Sequence, residues 1–403
     1  MQGVSRKGRG DTLSQLQLDR VASQGVDLDL SSEHELFRDT VRAFAINRVA
    51  PVAEELDRES RFPYELVAEM AELGLMGIPF PEELGGAGGD TLAYAIAVEE
   101  LARIDSSVAI TLAAHTSLGT MPIYLFGTDE QKQQWIPPLA RGERLAAFGL
   151  TESDAGSDAG ATRTTAALRD DSWVVNGSKV FITNAGTEIT QCVTITALTG
   201  EGEISNVVIK NGTPGYEISE PLHKMGWKAS DTRALSFAEC AVPAQNLLGE
   251  RGQGFHQFLQ ILDGGRISVA AMGVGLAQGA YDLAYAYARE RHQFGRPISS
   301  FQAIQFKLAD MATEIEAARG LVWKAAWLKD HGRPFAREAA MAKLYTGELS
   351  NRAVNASLQI HGGYGFSDEF AISRLYRDQK ILEIGEGTNE VQRMVIARLL
   401  GLP

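Results

Sequence analysis

Near the C-terminus one carboxylate stands between two glycines, in Ile384-Gly385-Glu386-Gly387-Thr388-Asn389-Glu390, just before an amphipathic helical pattern. Glycines let the backbone turn sharply and leave room beside the acid for a ligand. Two readings fit that spelling: a general base presented at a turn, or a helix-end charge favoured by the dipole of the following helix. The residues alone leave both open.

Three other segments offer groups for such a site. Phe148-Gly149-Leu150-Thr151-Glu152-Ser153-Asp154-Ala155-Gly156-Ser157 brings hydroxyls and close backbone approach into a short space. Phe181-Ile182-Thr183-Asn184 follows Trp173-Val174-Val175-Asn176-Gly177 at hairpin spacing, so an aromatic ring and another hydroxyl could face one cleft and hold a flat ligand, or simply pack a core. Leu262-Asp263-Gly264-Gly265-Arg266-Ile267 precedes an Ala- and Gly-rich helical pattern, where Arg266 is either exposed beside a cap or placed for an anionic ligand. The glycine-rich Leu84 to Gly89 has helical patterns on both sides, so it lacks the strand that a dinucleotide phosphate loop needs and reads as a surface loop.

The elements that must position these groups fall into three blocks. From Ser32 to about Gly142 the pattern is helical, opening on the capping-box spelling Ser32-Glu33-His34-Glu35. Phe37, Val41, Phe44 and Ala45, then Leu66, Met70 and Leu73, recur at helical spacing and are expected to be buried. Between about Leu145 and Leu248 short β-branched stretches alternate with Gly, Asn and Pro, with a turn expected at Asn176-Gly177. Long helices return from Gly254, expected over Ala270 to Arg291, Phe301 to His331 and Phe335 to Ile360. The expected division is a flexible tail over 1–26, a helical domain over 27–144, a β-domain over 145–248 and a helical bundle over 249–403.

Composition bounds the function. The 403 residues exceed what one core usually serves, and 44% apolar with 22% charged residues is ordinary for a globular chain. The net charge of −13 carries no long single-sign block, which argues against a nucleic-acid footprint. No apolar run approaches the roughly 20 residues of a membrane span, so no membrane anchor is expected. Cys192 and Cys240 are far apart and lack metal-ligand spacing, so they read as structural cysteines and no metal is expected. The N-terminus has Arg6, Lys7 and Arg9 without the apolar stretch of a secretory signal, so a tail is preferred over a transit peptide.

Taken together, the chain from about Leu30 to Leu400 resembles the acyl-CoA dehydrogenase family, most closely its short-chain members. The resemblance rests on Phe148 to Ser157, Phe181 to Asn184, Lys224-Met225-Gly226-Trp227-Lys228-Ala229-Ser230-Asp231-Thr232, Arg289 to Arg296, Gln359-Ile360-His361-Gly362-Gly363-Tyr364-Gly365 and Glu386-Gly387-Thr388. It implies an α+β multidomain fold: an N-terminal helical domain, a middle β-barrel-like domain and a C-terminal four-helix bundle, with FAD between the last two.

By matching motif, Phe148, Leu150, Thr151, Gly156 and Ser157 would line the flavin, with Phe181 and Thr183 flanking its ring. Many relatives have Trp at the position of Phe181, which keeps the aromatic wall but loses an indole N–H and bears on partner docking. Arg291, Gln293, Phe294, Gln302, Gln359, Gly362 and Gly363 would hold the pyrophosphate and adenine across a subunit interface, in a dimer at least and usually a homotetramer. Thr388 and Asn389 would also touch FAD, while Ser157, Asp263, Arg266 and Gly387 would meet the acyl-CoA.

The resemblance makes Glu386 the base that takes the α-proton as hydride leaves the β-carbon for flavin N5, giving a trans-2-enoyl-CoA. Isovaleryl- and long-chain-specific relatives carry their base just before the equivalent of Arg266, where this chain has Gly265. Electrons would pass to an electron-transfer flavoprotein, in a bacterial cytoplasm or a mitochondrial matrix. The alternatives are a flavin oxidase or monooxygenase on the same fold and a non-catalytic acyl-CoA-binding homologue.

Overall fold

The computed structural model describes residues 29–402, so the tail expected over 1–26 lies outside the described residues. Helices α1 (Ser32–Phe44), α2 (Ala53–Glu59), α3 (Tyr64–Glu72), α4 (Thr91–Ala102), α5 (Ser106–Ala113), α6 (Met121–Phe126) and α7 (Asp129–Ala140) come first. Ser31 caps α1, its hydroxyl accepting from the His34 N–H at 3.2 Å. The cap therefore lies one residue before the expected box, and Ser32 is already helical. Val41, Phe44, Ala45, Leu66 and Met70 are buried as expected, whereas Leu73 is 43% exposed because it closes α3 beyond its buried face. The loop at Leu84 to Gly89 runs from a 3₁₀ turn into α4 with no strand before it.

A π-helical segment, Ala114–Thr120, joins α5 to α6. The resulting stretch Ser106–Phe126 has a mean hydropathy of 1.2 and the length to cross a membrane, a property the count of uninterrupted apolar residues does not register. Its setting explains the composition: 78% of its most apolar window is buried inside the protein.

The middle of the chain forms β1 (Leu145–Gly149), β2 (Thr165–Arg169), β3 (Ser172–Thr183), β4 (Thr190–Gly200), β5 (Glu203–Lys210), β6 (Tyr216–Ile218), β7 (Thr232–Pro243) and β8 (Leu247–Leu248). They make one eight-stranded sheet in the order β6-β7-β3-β2-β4-β5-β8, with β1 parallel to β4. The turn expected at Asn176-Gly177 is absent. Both residues lie inside β3, where the register to β7 slips between Val175 and Gly177, and the φ of 143° at Gly177 forms a bulge. The hairpin turns instead at Asp170-Asp171, between the paired residues Arg169 and Ser172, with Asp170 at positive φ. Phe181 and Thr183 thus continue the strand that carries Trp173 and do not answer it across a hairpin.

The last block holds α8 (Gly254–Glu290), a small ribbon of β9 (His292–Gln293) and β10 (Arg296–Pro297), then α9 (Gln302–Asp330), α10 (Ala336–His361), α11 (Ala371–Asp378) and α12 (Asn389–Leu399). Helix α8 begins well before the expected Ala270, so Asp263-Gly264-Gly265-Arg266 lies inside a helix. Two adjacent glycines cost about 1 kcal/mol each there, and the burial of Phe258, Ile261 and Ile267 offsets that penalty. Close approach to a neighbour is what the small residues of α8 allow: a Cβ at Gly275 would overlap the carbonyl of Glu99 on α4, and one at Gly279 that of Arg103 just past its end. One apolar core consequently runs from α1, α4 and α5 into α8, α9 and α10.

Candidate active site

Glu386 follows α11 and a short 3₁₀ turn, Gln379–Glu383, whose Ile381 carbonyl accepts from both Ile384 and Gly385. The chain then reverses through two successive left-handed residues, Glu386 at φ 52° and Gly387 at φ 89°. A non-glycine residue in that region costs about 1–3 kcal/mol and persists only where its surroundings fix it. Here Gln392, from the first turn of α12, donates to the Glu386 carbonyl at 3.2 Å and the Gly387 carbonyl at 2.9 Å. The ammonium of Lys343 on α10 donates to the same Gly387 carbonyl at 2.8 Å and to Asn389 Oδ1 at 3.3 Å. Thr388 caps α12, its hydroxyl accepting from the Val391 N–H at 3.3 Å.

This turn aims the carboxylate at α8. A Cβ built on Gly265 would overlap Glu386 Oε2, so the acid occupies the space that a side chain at 265 would need. Glu386 Oε2 is enclosed and has no hydrogen-bond partner, although the residue as a whole keeps some surface open. Burial pushes the Glu386 carboxyl up to about 7, against the opposing pull of Arg266 and Lys343. Arg266 is 3% exposed, which removes the reading of an exposed helix-end arginine. It pairs with Asp263 one turn earlier and leaves its Nε without a partner. Tyr94 of α4, whose hydroxyl donates to the Ala113 carbonyl at 3.0 Å, lies within the field of Glu386.

The Leu150 to Ser157 segment is tied down by a buried ion pair. Lys179 of β3 is fully buried and donates to Glu152 Oε1 at 2.7 Å, Thr196 Oγ1 at 3.0 Å, and the Leu150 carbonyl and Thr162 Oγ1 at 3.1 Å each. Glu152 also accepts the backbone N–H groups of Arg163 at 2.7 Å and Thr164 at 3.1 Å. Burial raises its pKa, but Lys179 and these donors win and hold the carboxyl down at about 2. Leu150 and Thr151 are left half-buried, Gly156 and Ser157 exposed, and a Cβ at Gly156 would meet nothing within 4 Å. Phe148 instead packs in a small apolar cluster with Phe258 and Ile261 of α8.

Phe181 stands at φ 63° with 67% of its surface open, while Thr183 is half-buried beside it. A phenyl ring held out to solvent by an unfavourable backbone costs free energy that a planar ring laid against it would offset. The exposed ring, the open backbone at Gly156 and the enclosed carboxylate at Glu386 fit a flat aromatic cofactor such as FAD.

The remaining expected residues form a second group. The guanidinium of Arg291, just past the end of α8, lies 5.4 Å from the ring centre of Tyr364, in the 3₁₀ turn Gly362–Phe366 that follows α10 and its Gln359. Gln293, Phe294, Gln302, Gln359, Gly362 and Gly363 are exposed, Phe294 to 92%. Arg266 lies within α8 and Arg291 just past its end, 25 positions on and about 37 Å along the axis of a regular helix, so the two groups stand far apart in a single chain.

A further motif, Lys224 to Thr232, packs where all three blocks meet. The Trp227 N–H donates to Asp378 Oδ1 at 2.7 Å, and the Ser106 hydroxyl donates to Asp378 Oδ2 at 2.9 Å and accepts from Trp227 Nε1 at 3.1 Å. Burial, then the neighbouring Asp105, pushes the Asp378 carboxyl upward. Lys179, Lys343, Gln392 and Asp378 escape a reading of the sequence. Lys179 and Gln392 stand close to motifs already singled out, whereas Lys343 and Asp378 carry no such signal.

All three domains of one family match this chain. The model described as acyl-CoA dehydrogenase, N-terminal domain, matches residues 31–143, the middle-domain model residues 147–240, and the C-terminal-domain model residues 252–401. A probable acyl-CoA dehydrogenase of Bacillus subtilis is 53% identical over 380 residues, spanning 93% of this chain and 100% of that protein. The short-chain specific acyl-CoA dehydrogenase of Clostridium acetobutylicum is 46% identical over 376 residues, spanning 92% and 99%. Among solved structures, butyryl-CoA dehydrogenase of Megasphaera elsdenii superposes with a TM-score of 0.90 at 44% identity, covering 93% of this chain and 99% of that one. A chain in a structure described as the electron transferring flavoprotein of Acidaminococcus fermentans gives 0.91 at 45%, with the same coverage. An acyl-CoA dehydrogenase of Bacillus anthracis complexed with FAD gives 0.89 at 36%, covering 93% of this chain and 68% of that one. With its three domains matched in order and relatives this close over nearly their full length, the chain belongs to the acyl-CoA dehydrogenase family of FAD-dependent oxidoreductases.

Proposed function

We propose that this chain oxidises a short acyl-CoA thioester to its trans-2-enoyl-CoA, with Glu386 as the base that removes the α-proton. The observation that carries the reading is the enclosed, unpartnered Oε2 of Glu386, held against Gly265 and faced by two buried cations. A carboxylate whose pKa lies near 7 is a far better proton acceptor than an exposed one, and still ionised enough to act. Among the described residues the Glu386 N–H has no backbone acceptor, so it is free to donate to a thioester oxygen as negative charge develops there. Each such donor is worth about 3–4 kcal/mol. Arg266 and Asp263 border the same space, and Ser157 lies at the exposed edge of the loop pinned by Lys179. The preference for a short acyl group follows the names of the Clostridium and Megasphaera relatives.

Leu150, Thr151, Gly156, Ser157, Phe181, Thr183 and Thr388 would hold the flavin ring and its ribityl chain. Bound FAD supplies the acceptor for the hydride that leaves the β-carbon. Arg291, Gln293, Phe294, Gln302, Gln359, Gly362 and Gly363 would serve the cofactor of a second copy, which makes a dimer the smallest active unit and a tetramer the expected one. The electron acceptor is an electron-transfer flavoprotein, in keeping with the family resemblance.

Glu386→Gln tests the reading. The variant should keep its flavin absorbance and bind butyryl-CoA, yet bleach the flavin at least 10²-fold more slowly. Bleaching at the wild-type rate would remove Glu386 from the mechanism. Rapid reoxidation of the bleached wild-type protein by air alone would point to an oxidase.

A further inference from the structure

We propose that Lys343 is a positioning residue for the base: its buried ammonium grips the Gly387 carbonyl, keeping Glu386 in its left-handed turn and aimed at Gly265. This inference rests on Glu386 acting as the base.

Lys343 lies in the middle of α10 and is fully buried. Taking an ammonium out of water costs several kcal/mol unless partners compensate. The two groups it touches are the Gly387 carbonyl at 2.8 Å and Asn389 Oδ1 at 3.3 Å, both neutral acceptors. Contact therefore leaves the charge uncancelled, and its field reaches the site. Both acceptors sit in the four-residue stretch that presents Glu386 and opens α12. The Gly387 carbonyl is already met by Gln392 at 2.9 Å, so Lys343 is the second donor on one oxygen and locks its direction from the opposite element. Fixing that carbonyl fixes the peptide that follows Gly387 and so closes the turn in which the backbone runs through φ 52° at Glu386 and 89° at Gly387 in succession.

The charged and titratable groups around this point come from every packed element. Glu386, Glu383 and Glu390 attract the ammonium, while Arg266 of α8 repels it. Glu386 in turn faces Arg266, Lys343 and Tyr94. Lys343 and Arg266 are thus the cations that oppose the upward push of burial on the carboxylate. Removing Lys343 should make Glu386 harder to ionise and loosen its aim.

The test compares flavin-loaded Lys343→Met, Lys343→Gln and Lys343→Arg with the wild type and Glu386→Gln, using butyryl-CoA as substrate. In both neutral variants the pH midpoint of kcat/KM should move upward by about one unit. Their plateau kcat should fall by about 10²-fold from misplacement of the base, with KM little changed. Lys343→Arg should bring the midpoint back toward that of the wild type. Neutral variants that hold flavin and keep the wild-type midpoint and plateau overturn the proposal. So does failure of both neutral variants to retain flavin, since the lysine is then a folding requirement. An active Glu386→Gln instead condemns the underlying base assignment, and the two failures are thereby told apart.

Discussion

At Glu386 a single methyl group is enough to force the carboxylate from its place, because a Cβ on Gly265 would overlap Oε2 and the side chain must shift to make room. Gly265→Ala should therefore lower kcat by about 10²-fold through displacement of the base. The same change favours the helix by about 1 kcal/mol, so the thermal midpoint should hold or rise while activity falls; an active Gly265→Ala would contradict the packing. The acid also has a pH signature. Its folded-state pKa is pushed up to about 7, above the ordinary carboxylate value of 4.5, so kcat/KM should climb through pH 7 as the proposed base ionises. The folding contribution has the opposite sense: it is fully present below the unfolded value of 4.5 and is lost as pH rises through 7. Glu386→Gln should accordingly gain thermal stability relative to wild type on going from about pH 5 to about pH 8. Glu386 was legible as a candidate because glycines flank it. The burial that distinguishes a base from a helix-end charge is set by α8 and α10, distant in sequence.

Helices with clear 3.6-residue periodicity were readable to within a residue or two for α9 and α10, and less so where glycine intervened. Gly264-Gly265 looks like a helix boundary in the sequence, yet tertiary burial on both sides carries α8 through it. Asn176-Gly177 spells a tight turn, yet β3 absorbs it as a bulge because β7 offers a continuous partner. Buried lysines are harder still, since nothing local separates Lys179 or Lys343 from a surface lysine. Lys179 ties β3 and β4 to the Leu150 to Ser157 loop through Glu152 and Thr196. Lys179→Met would leave the Glu152 carboxylate buried without its cation, a loss of about 3–5 kcal/mol. The expected result is a lower thermal midpoint and release of flavin on gel filtration. Retention of both would show that Glu152 is satisfied by its backbone donors alone.

At the scale of the whole molecule, the order helical, β, helical was legible from texture, whereas the junction of Ser106, Trp227 and Asp378 was not, because its three members lie in different blocks. The separation of Arg291 from Arg266 along α8 makes a mixing experiment decisive. Chains carrying Glu386→Gln and chains carrying Arg291→Ala should each be inactive, but co-expressed hybrids should regain activity. In such a hybrid one site draws intact Glu386 from one copy and intact Arg291 from the other. Hybrids no more active than the single variants would mean that both residues serve the same copy.

The contact between Gly265 and Glu386 also ties the two positions together. In this chain position 265 on α8 and position 386 before α12 border one volume from two different elements. An acid placed at 265 while Glu386 remains would crowd it, and an acid lost at 386 while Gly265 remains takes the proposed base out of that volume. Each single step is harmful and the pair is strongly non-additive. Moving the carboxylate from one element to the other therefore takes two coordinated changes, an acid at 265 and its loss at 386, and neither alone keeps the arrangement.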